Sequence, residues 1–128
     1  HFLGWQPDIA SLYVASDCVV LTSDSEGMPV TLIEAAMAGV PAVTTDVGSA
    51  REVVLDGVTG LVVAPEAAAV ADGILRLLDP NLRNLMGAAA LAKANTEFNT
   101  QRLIADHAAL YDRLISTLDT GGPQAGGG

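Results

Sequence analysis

The chain has 128 residues, half of them apolar, which suits one domain with a core of its own. Six Lys and Arg stand against 15 Asp and Glu, a formal charge of −9, so neither nucleic acid nor an anionic membrane is expected as the main partner. The lone Cys18 excludes an internal disulfide framework and a Cys-built zinc site.

Apolar runs and helical patterns alternate along the chain. His1 to Trp5 reads like the end of a strand already running, so the chain is expected to be the C-terminal piece of a longer protein. Asp8 can cap a short helix with Ile9, Leu12 and Tyr13 on one face. Cys18 to Thr22 is apolar on both faces, as a buried parallel strand is. Ser23 to Pro29 forms a polar loop. Val30 to Ala38 follows as a helix stopped by Gly39, and Ala42 to Thr44 as a strand. Gly48 and Ser49 open a turn or short helix through Arg51 and Glu52, and Gly60 to Val63 is a further strand closed by Pro65. Helices are expected over 67–78, 82–94 and 100–118. The Gly-rich stretch 119–128 lacks an apolar pattern and is expected to be a disordered tail. No apolar window of about eighteen residues is present, nor a basic-then-apolar leader pattern after His1, which makes the cytoplasm the simplest compartment.

Strand, helix, strand, helix, strand with short connections implies an α/β fold with a parallel sheet wrapped by helices. Ligands of such sheets sit outside the carboxyl ends of the strands, so the loops after Thr22, Thr44 and Val63 are the candidate site. The helix starting near Val30 aims the backbone N–H groups of Val30, Thr31 and Leu32 at that crevice, an anion site worth ~0.3–2 kcal/mol. Residues 1–50 contain neither Lys nor Arg, so backbone dipoles are what this stretch offers a phosphate. Two carboxylates bracket the helix start, Glu26 in the loop and Glu34 eight residues on. Carboxylates accept hydrogen bonds from hydroxyls and so suit a ribose or a hexose. On spacing alone, two solvated surface glutamates are an equally good reading.

Context separates these readings. Phe2-Leu3-Gly4-Trp5, Tyr13-Val14-Ala15-Ser16-Asp17, Ser23-Asp24-Ser25-Glu26-Gly27-Met28-Pro29, Leu32 to Pro41 and Asp46-Val47-Gly48 appear in that order. Glu52-Val53-Val54 and Asp56 to Val63 continue the series. Together they resemble the C-terminal half of a retaining GT-B glycosyltransferase of the group 1, or family 4, type, whose hallmark is Glu-x7-Glu. The likeness is strong over 2–65 and weak through 118.

The resemblance implies a Rossmann-like, doubly wound parallel sheet, incomplete here, with residues 1–118 as part of a nucleotide-sugar-binding domain. It implies transfer of a hexose from a nucleoside-diphosphate sugar to an unknown sugar, lipid or metabolite acceptor, without a metal cofactor. Glu26 is the implied catalytic-site carboxylate, accepting a hydroxyl of the donor hexose without acting as a nucleophile. Gly27 and Met28 would offer N–H groups beside that sugar. Val30, Thr31 and Leu32 would meet the diphosphate, and Glu34 would grip the ribose. The family's basic pair and acceptor domain would lie upstream, so this portion alone is expected to be inactive, and membrane-peripheral placement of the whole enzyme stays open. The rival reading is a non-catalytic module of the same fold that holds a nucleotide sugar.

Several single residues have plainer readings. Asp24-Ser25-Glu26 is not a D-x-D metal motif, and His1 and His107 are too isolated for a ligand set. Cys18 reads as a core residue, and Trp5 as either core or a flank for the base. Arg51 and Glu52 read as surface-paired groups, with an approach to the crevice as the alternative. Leu75, Leu78 and Leu82, and then Leu103, Leu110 and Leu114, read as helix stripes facing a core.

Overall fold

A computed structural model describes residues 1–119; the expected tail lies outside the described residues apart from Asp119, which ends the last helix. Its elements run α1 (Ile9–Val14), β1 (Val19–Leu21), α2 (Val30–Met37), β2 (Ala42–Thr45), α3 (Ala50–Val53), β3 (Gly60–Val63), α4 (Ala67–Arg76), α5 (Pro80–Glu97) and α6 (Thr100–Asp119). The three strands form one parallel sheet in the order β1-β2-β3, with Val19 opposite Ala42 and Ala42 opposite Gly60.

The central strand shows why the sheet is wrapped on both sides. Every residue of β2 is buried, and successive side chains of a strand point to opposite faces. Ala42 packs with Leu32, Ala50, Val53, Val54 and Val62, against α2 and α3. Val43 packs with Leu61, Leu77 and Met86, against the α4–α5 side. Helices on both faces of a parallel sheet are the doubly wound pattern expected from the sequence. A third cluster of small residues, Ala36, Ala90 and Ala94, lets α5 lie close to α2.

Three expectations are corrected. Phe2 and Leu3 belong to no strand and are fully or largely exposed; β1 pairs with β2, and no ladder reaches Phe2 and Leu3. Along α4 Gly73, Ile74 and the C-cap Leu77 share the sheet-facing side at helical spacing, so Leu77 enters the core, while Leu75 and Leu78 face solvent. Leu82 is partly buried against Leu77, as the stripe predicted. Finally, Leu103, Leu110 and Leu114 lie on the exposed surface of α6, which buries none of residues 100–117. The helical spacing is real, yet the described elements leave that stripe exposed.

Local chemistry explains the helix boundaries. Asp8 caps α1 by accepting from the Ser11 amide at 3.1 Å, and Asp79 caps α5 by accepting from the Asn81 amide at 2.9 Å, with Pro80 at the first helical position. α2 stops where Gly39 takes the left-handed conformation, φ 72°. None of the described helices is long and apolar enough to cross a membrane.

Candidate functional site

The carboxyl ends of β1 and β2 deliver two loops to one edge of the sheet, 22–29 and 46–49. They are tied together. Thr45 Oγ1 donates to the Ser23 carbonyl at 2.6 Å, and the Ser49 amide donates to the Gly27 carbonyl at 3.3 Å. Between these bonds the Glu26 carbonyl rests against the Gly48 Cα, where a Cβ would lie only 1.8 Å from it. Gly48 is thus the residue that lets the Glu26 loop sit down on the β2 side of the crevice.

Both bracketing carboxylates are held by a hydroxyl. Ser23 Oγ donates to Glu26 Oε1 at 2.5 Å, across the loop's own turn. Tyr13 OH donates to Glu34 Oε2 at 2.9 Å, reaching across from α1. Each glutamate is half-buried rather than fully solvated. Gly27, Met28, Val30 and Thr31 lie exposed along the same rim, with Pro29 buried beneath them.

The start of α2 has no side-chain cap and no acidic residue in its first turn. Pro29 serves as N-cap, and its carbonyl accepts from the amides of Leu32 and Ile33 at 3.1 and 3.4 Å. The Leu32 side chain is buried in the core. What Leu32 brings to the site is therefore anchorage of the helix start, while the Val30 and Thr31 amides are the orphan donors of the first turn.

Two cavities flank this edge. One of about 450 Å³ opens between the strand ends and α4, lined by Thr22, Asp24, Thr45, Pro65, Glu66 and Ile74. Another, of about 350 Å³, is an apolar groove between α1 and α2 that includes Tyr13 and Glu34. The two glutamates share no cavity: Glu34 lines the groove between α1 and α2, while Glu26 lines neither and stands in the loop before the start of α2.

An ion pair sits beside this edge. Arg51, the first cation after the N-terminus, makes a two-pronged contact with Asp46, Nε to Oδ1 at 2.6 Å and Nη2 to Oδ2 at 2.7 Å. Those hydrogen bonds hold the Asp46 carboxyl below its ordinary range and the guanidinium above its own. Surface pairing, expected for Arg51, is what the chain adopts. Burial pushes the Cys18 thiol up, the Asp17 charge adds to the rise, and Arg83 partly opposes it. Trp5 is exposed, so it is not a core residue. His107 is exposed on α6, its Nδ1 2.8 Å from the Leu103 carbonyl oxygen and its ring tilted against Tyr111. Among the described residues, no group of three or more His, Cys, Asp or Glu side chains gathers as a metal site would.

Sequence reasoning missed Tyr13, Ser23, Thr45 and Gly48 as parts of this site. A signal existed for three of them, since Tyr13, Ser23 and Gly48 fall within the ordered segments that carry the family likeness. Their roles depend on long-range packing that spacing does not express.

A parallel sheet with helices on both faces and loops gathered at its carboxyl edge is the Rossmann-like half-domain found in GT-B glycosyltransferases. Residues 1–93 match the family model of glycosyl transferases group 1, and the chain belongs to that family. Over 112 residues it is 34% identical to N-acetyl-alpha-D-glucosaminyl L-malate synthase of Bacillus anthracis, covering 86% of this chain and 29% of that protein. It is 40% identical over 91 residues to D-inositol 3-phosphate glycosyltransferase of Frankia alni, covering 70% and 22%. The crystal structure of Anabaena HepE in complex with UDP superposes with a TM-score of 0.83 at 29% identity, covering 87% of this chain and 31% of that one. HepE has also been solved with UDP-glucose. The chain thus spans about a quarter of the length of these two curated relatives.

Proposed function

We propose that this chain is the donor-binding portion of a retaining, family 4 type glycosyltransferase that moves a hexose from a nucleoside-diphosphate sugar to an acceptor. The observation that supports it most is the pair Glu26 and Glu34, each fixed by a hydroxyl, on either side of an uncapped helix start. An anion at that start meets the Val30 and Thr31 amides and the positive end of the helix dipole. Carboxylates repel a diphosphate but accept from hydroxyls, so each faces a sugar on its own side of it. In this reading Glu34 grips the ribose and Glu26 a hydroxyl of the hexose, with the Gly27 and Met28 amides beside that sugar.

Catalysis is then positioning plus stabilisation of the leaving diphosphate. Glu26 orients the hexose and does not attack it, and no resident metal enters the scheme. Similarity to HepE, solved with UDP and with UDP-glucose, makes a uridine donor the first to test.

The test is calorimetric titration of the native full-length protein with UDP, GDP and ADP, each free and as its glucose or mannose conjugate. Saturable binding of one base series, weakened by Glu34→Ala for both free and conjugated forms, is expected. Glu26→Ala should weaken the sugar conjugate more than the free nucleotide. No binding by folded protein would overturn the donor-site reading.

A further inference from the structure

Tyr13 is the one buried residue of α1, a six-residue helix with few other anchors. Its ring packs with Ala35 of α2 and with Val40 just beyond the end of that helix. A phenol buried this way needs a partner for its O–H. It donates to Glu34 Oε2 at 2.9 Å, 21 residues along the chain. Tyr13 therefore links α1 to the Glu34 carboxylate, one turn into α2.

That link matters because of what a free glutamate on a helix surface does. An unheld Glu samples several rotamers and loses about 1.5–2 kcal/mol of rotamer freedom when a ligand fixes it. A carboxylate already held through one oxygen keeps its other oxygen and its remaining lone pairs for a ligand. Preorganisation of this kind raises affinity by reducing the ordering cost at binding. Burial and the neighbouring Glu34 charge push the Tyr13 hydroxyl up from its ordinary range, so it keeps its proton and remains a donor across the working pH range.

The geometry points to Tyr13 as a positioning residue that sets the Glu34 carboxylate for the vicinal hydroxyls of the donor's ribose. The inference rests on the reading of Glu34 given above. It assigns to α1 a part in donor recognition, made through Glu34 and not by contact with the nucleotide.

The test compares ribose recognition in the native full-length protein, Tyr13→Phe and Glu34→Ala. The Phe variant keeps the ring that packs on Ala35 and Val40 and removes only the hydroxyl; thermal melts establish that each variant is folded. The probes are UDP, GDP and ADP, and the tightest binder among them is compared with its 2′,3′-dideoxy counterpart. The wild type should prefer the ribonucleotide by roughly tenfold or more, the lower end for hydrogen bonds to a charged group. Glu34→Ala should abolish the preference. Tyr13→Phe should cut it by about three- to tenfold, because the ligand must then order the freed Glu34 side chain, while leaving dideoxynucleotide affinity unchanged. If Tyr13→Phe weakens both nucleotides equally, or neither, while Glu34→Ala still abolishes the preference, Tyr13 is a packing residue and the inference fails alone. If the wild type shows no ribose preference, the reading of Glu34 fails and takes the inference with it.

Discussion

A single methyl at Gly48 should disturb the site more than its size suggests. Gly48 has φ of 49°, and a Cβ there would stand 1.8 Å from the Glu26 carbonyl oxygen and 2.8 Å from its carbon. Real Cβ contacts essentially never fall under 3.0 Å, so Gly48→Ala must part the two loops. The left-handed conformation costs an alanine about 1–2 kcal/mol. Parting the loops also endangers the Thr45–Ser23 and Ser49–Gly27 hydrogen bonds, at about 0.5–1.5 kcal/mol each. The combined loss is about 2–5 kcal/mol. Gly57 supplies the control, because its φ is 73° and nothing lies within 4 Å of a Cβ built there. Gly57→Ala should lose only the conformational share, about 1–2 kcal/mol. Urea denaturation of both variants under one set of conditions measures the difference. Gly48→Ala should be the less stable by about 1 kcal/mol or more, and should alone bind the donor nucleotide sugar more weakly. Equal stability losses would refute the claim that Gly48 seats the Glu26 loop.

Three further outcomes follow from other parts of the molecule. Leu77→Ala removes a side chain sealed among Val43, Leu61 and Met86 and should cost about 2–5 kcal/mol, whereas Leu78→Ala at the exposed neighbour should stay within about 0.5 kcal/mol; urea midpoints of the pair decide it. Asp46 has its folded pKa lowered by its hydrogen bonds with Arg51, so its contribution is complete above roughly pH 4 and is lost as the pH falls through the lowered value. Wild type should therefore lose more stability than Asp46→Asn between neutral pH and that acid window, and high salt should shrink the gap because the pair is exposed. Cys18 has its thiol pushed up chiefly by burial, so iodoacetamide should label it more slowly at neutral pH than it labels a free thiol, read by mass spectrometry. Labelling at the free-thiol rate would show that the strand opens.

Much of the fold was legible because its signals are local. The apolar run around Val19 to Leu21, the Gly39 stop and the Gly60 to Val63 run each announce their element within a few residues. Parallel pairing then follows from the alternation of strand and helix. The misread leucines show the limit. Leu75, Leu77 and Leu78 differ by only a position or two, and the helical phase that Leu77 shares with Gly73 and Ile74 decides which of them meets Val43 and Leu61. On α6 the periodicity states amphipathicity but not what covers it. At the site, Glu26 and Glu34 were visible as residue types at a spacing. Tyr13, Thr45 and Gly48 act from 21, 22 and 22 positions away on the partners they hold, and only folding brings such pairs together.

The central claim is that a nucleoside-diphosphate sugar binds across the start of α2 at the carboxyl edge of the sheet. The most direct measurement is amide chemical-shift mapping of the native full-length protein, isotopically labelled and deuterated, during titration with UDP-glucose and then with the GDP and ADP conjugates. The account predicts saturable shifts for one of these donors concentrated at Gly27, Met28, Val30 and Thr31, with the α6 amides unmoved. Saturable shifts confined to other surfaces, with those four amides unchanged, would contradict it.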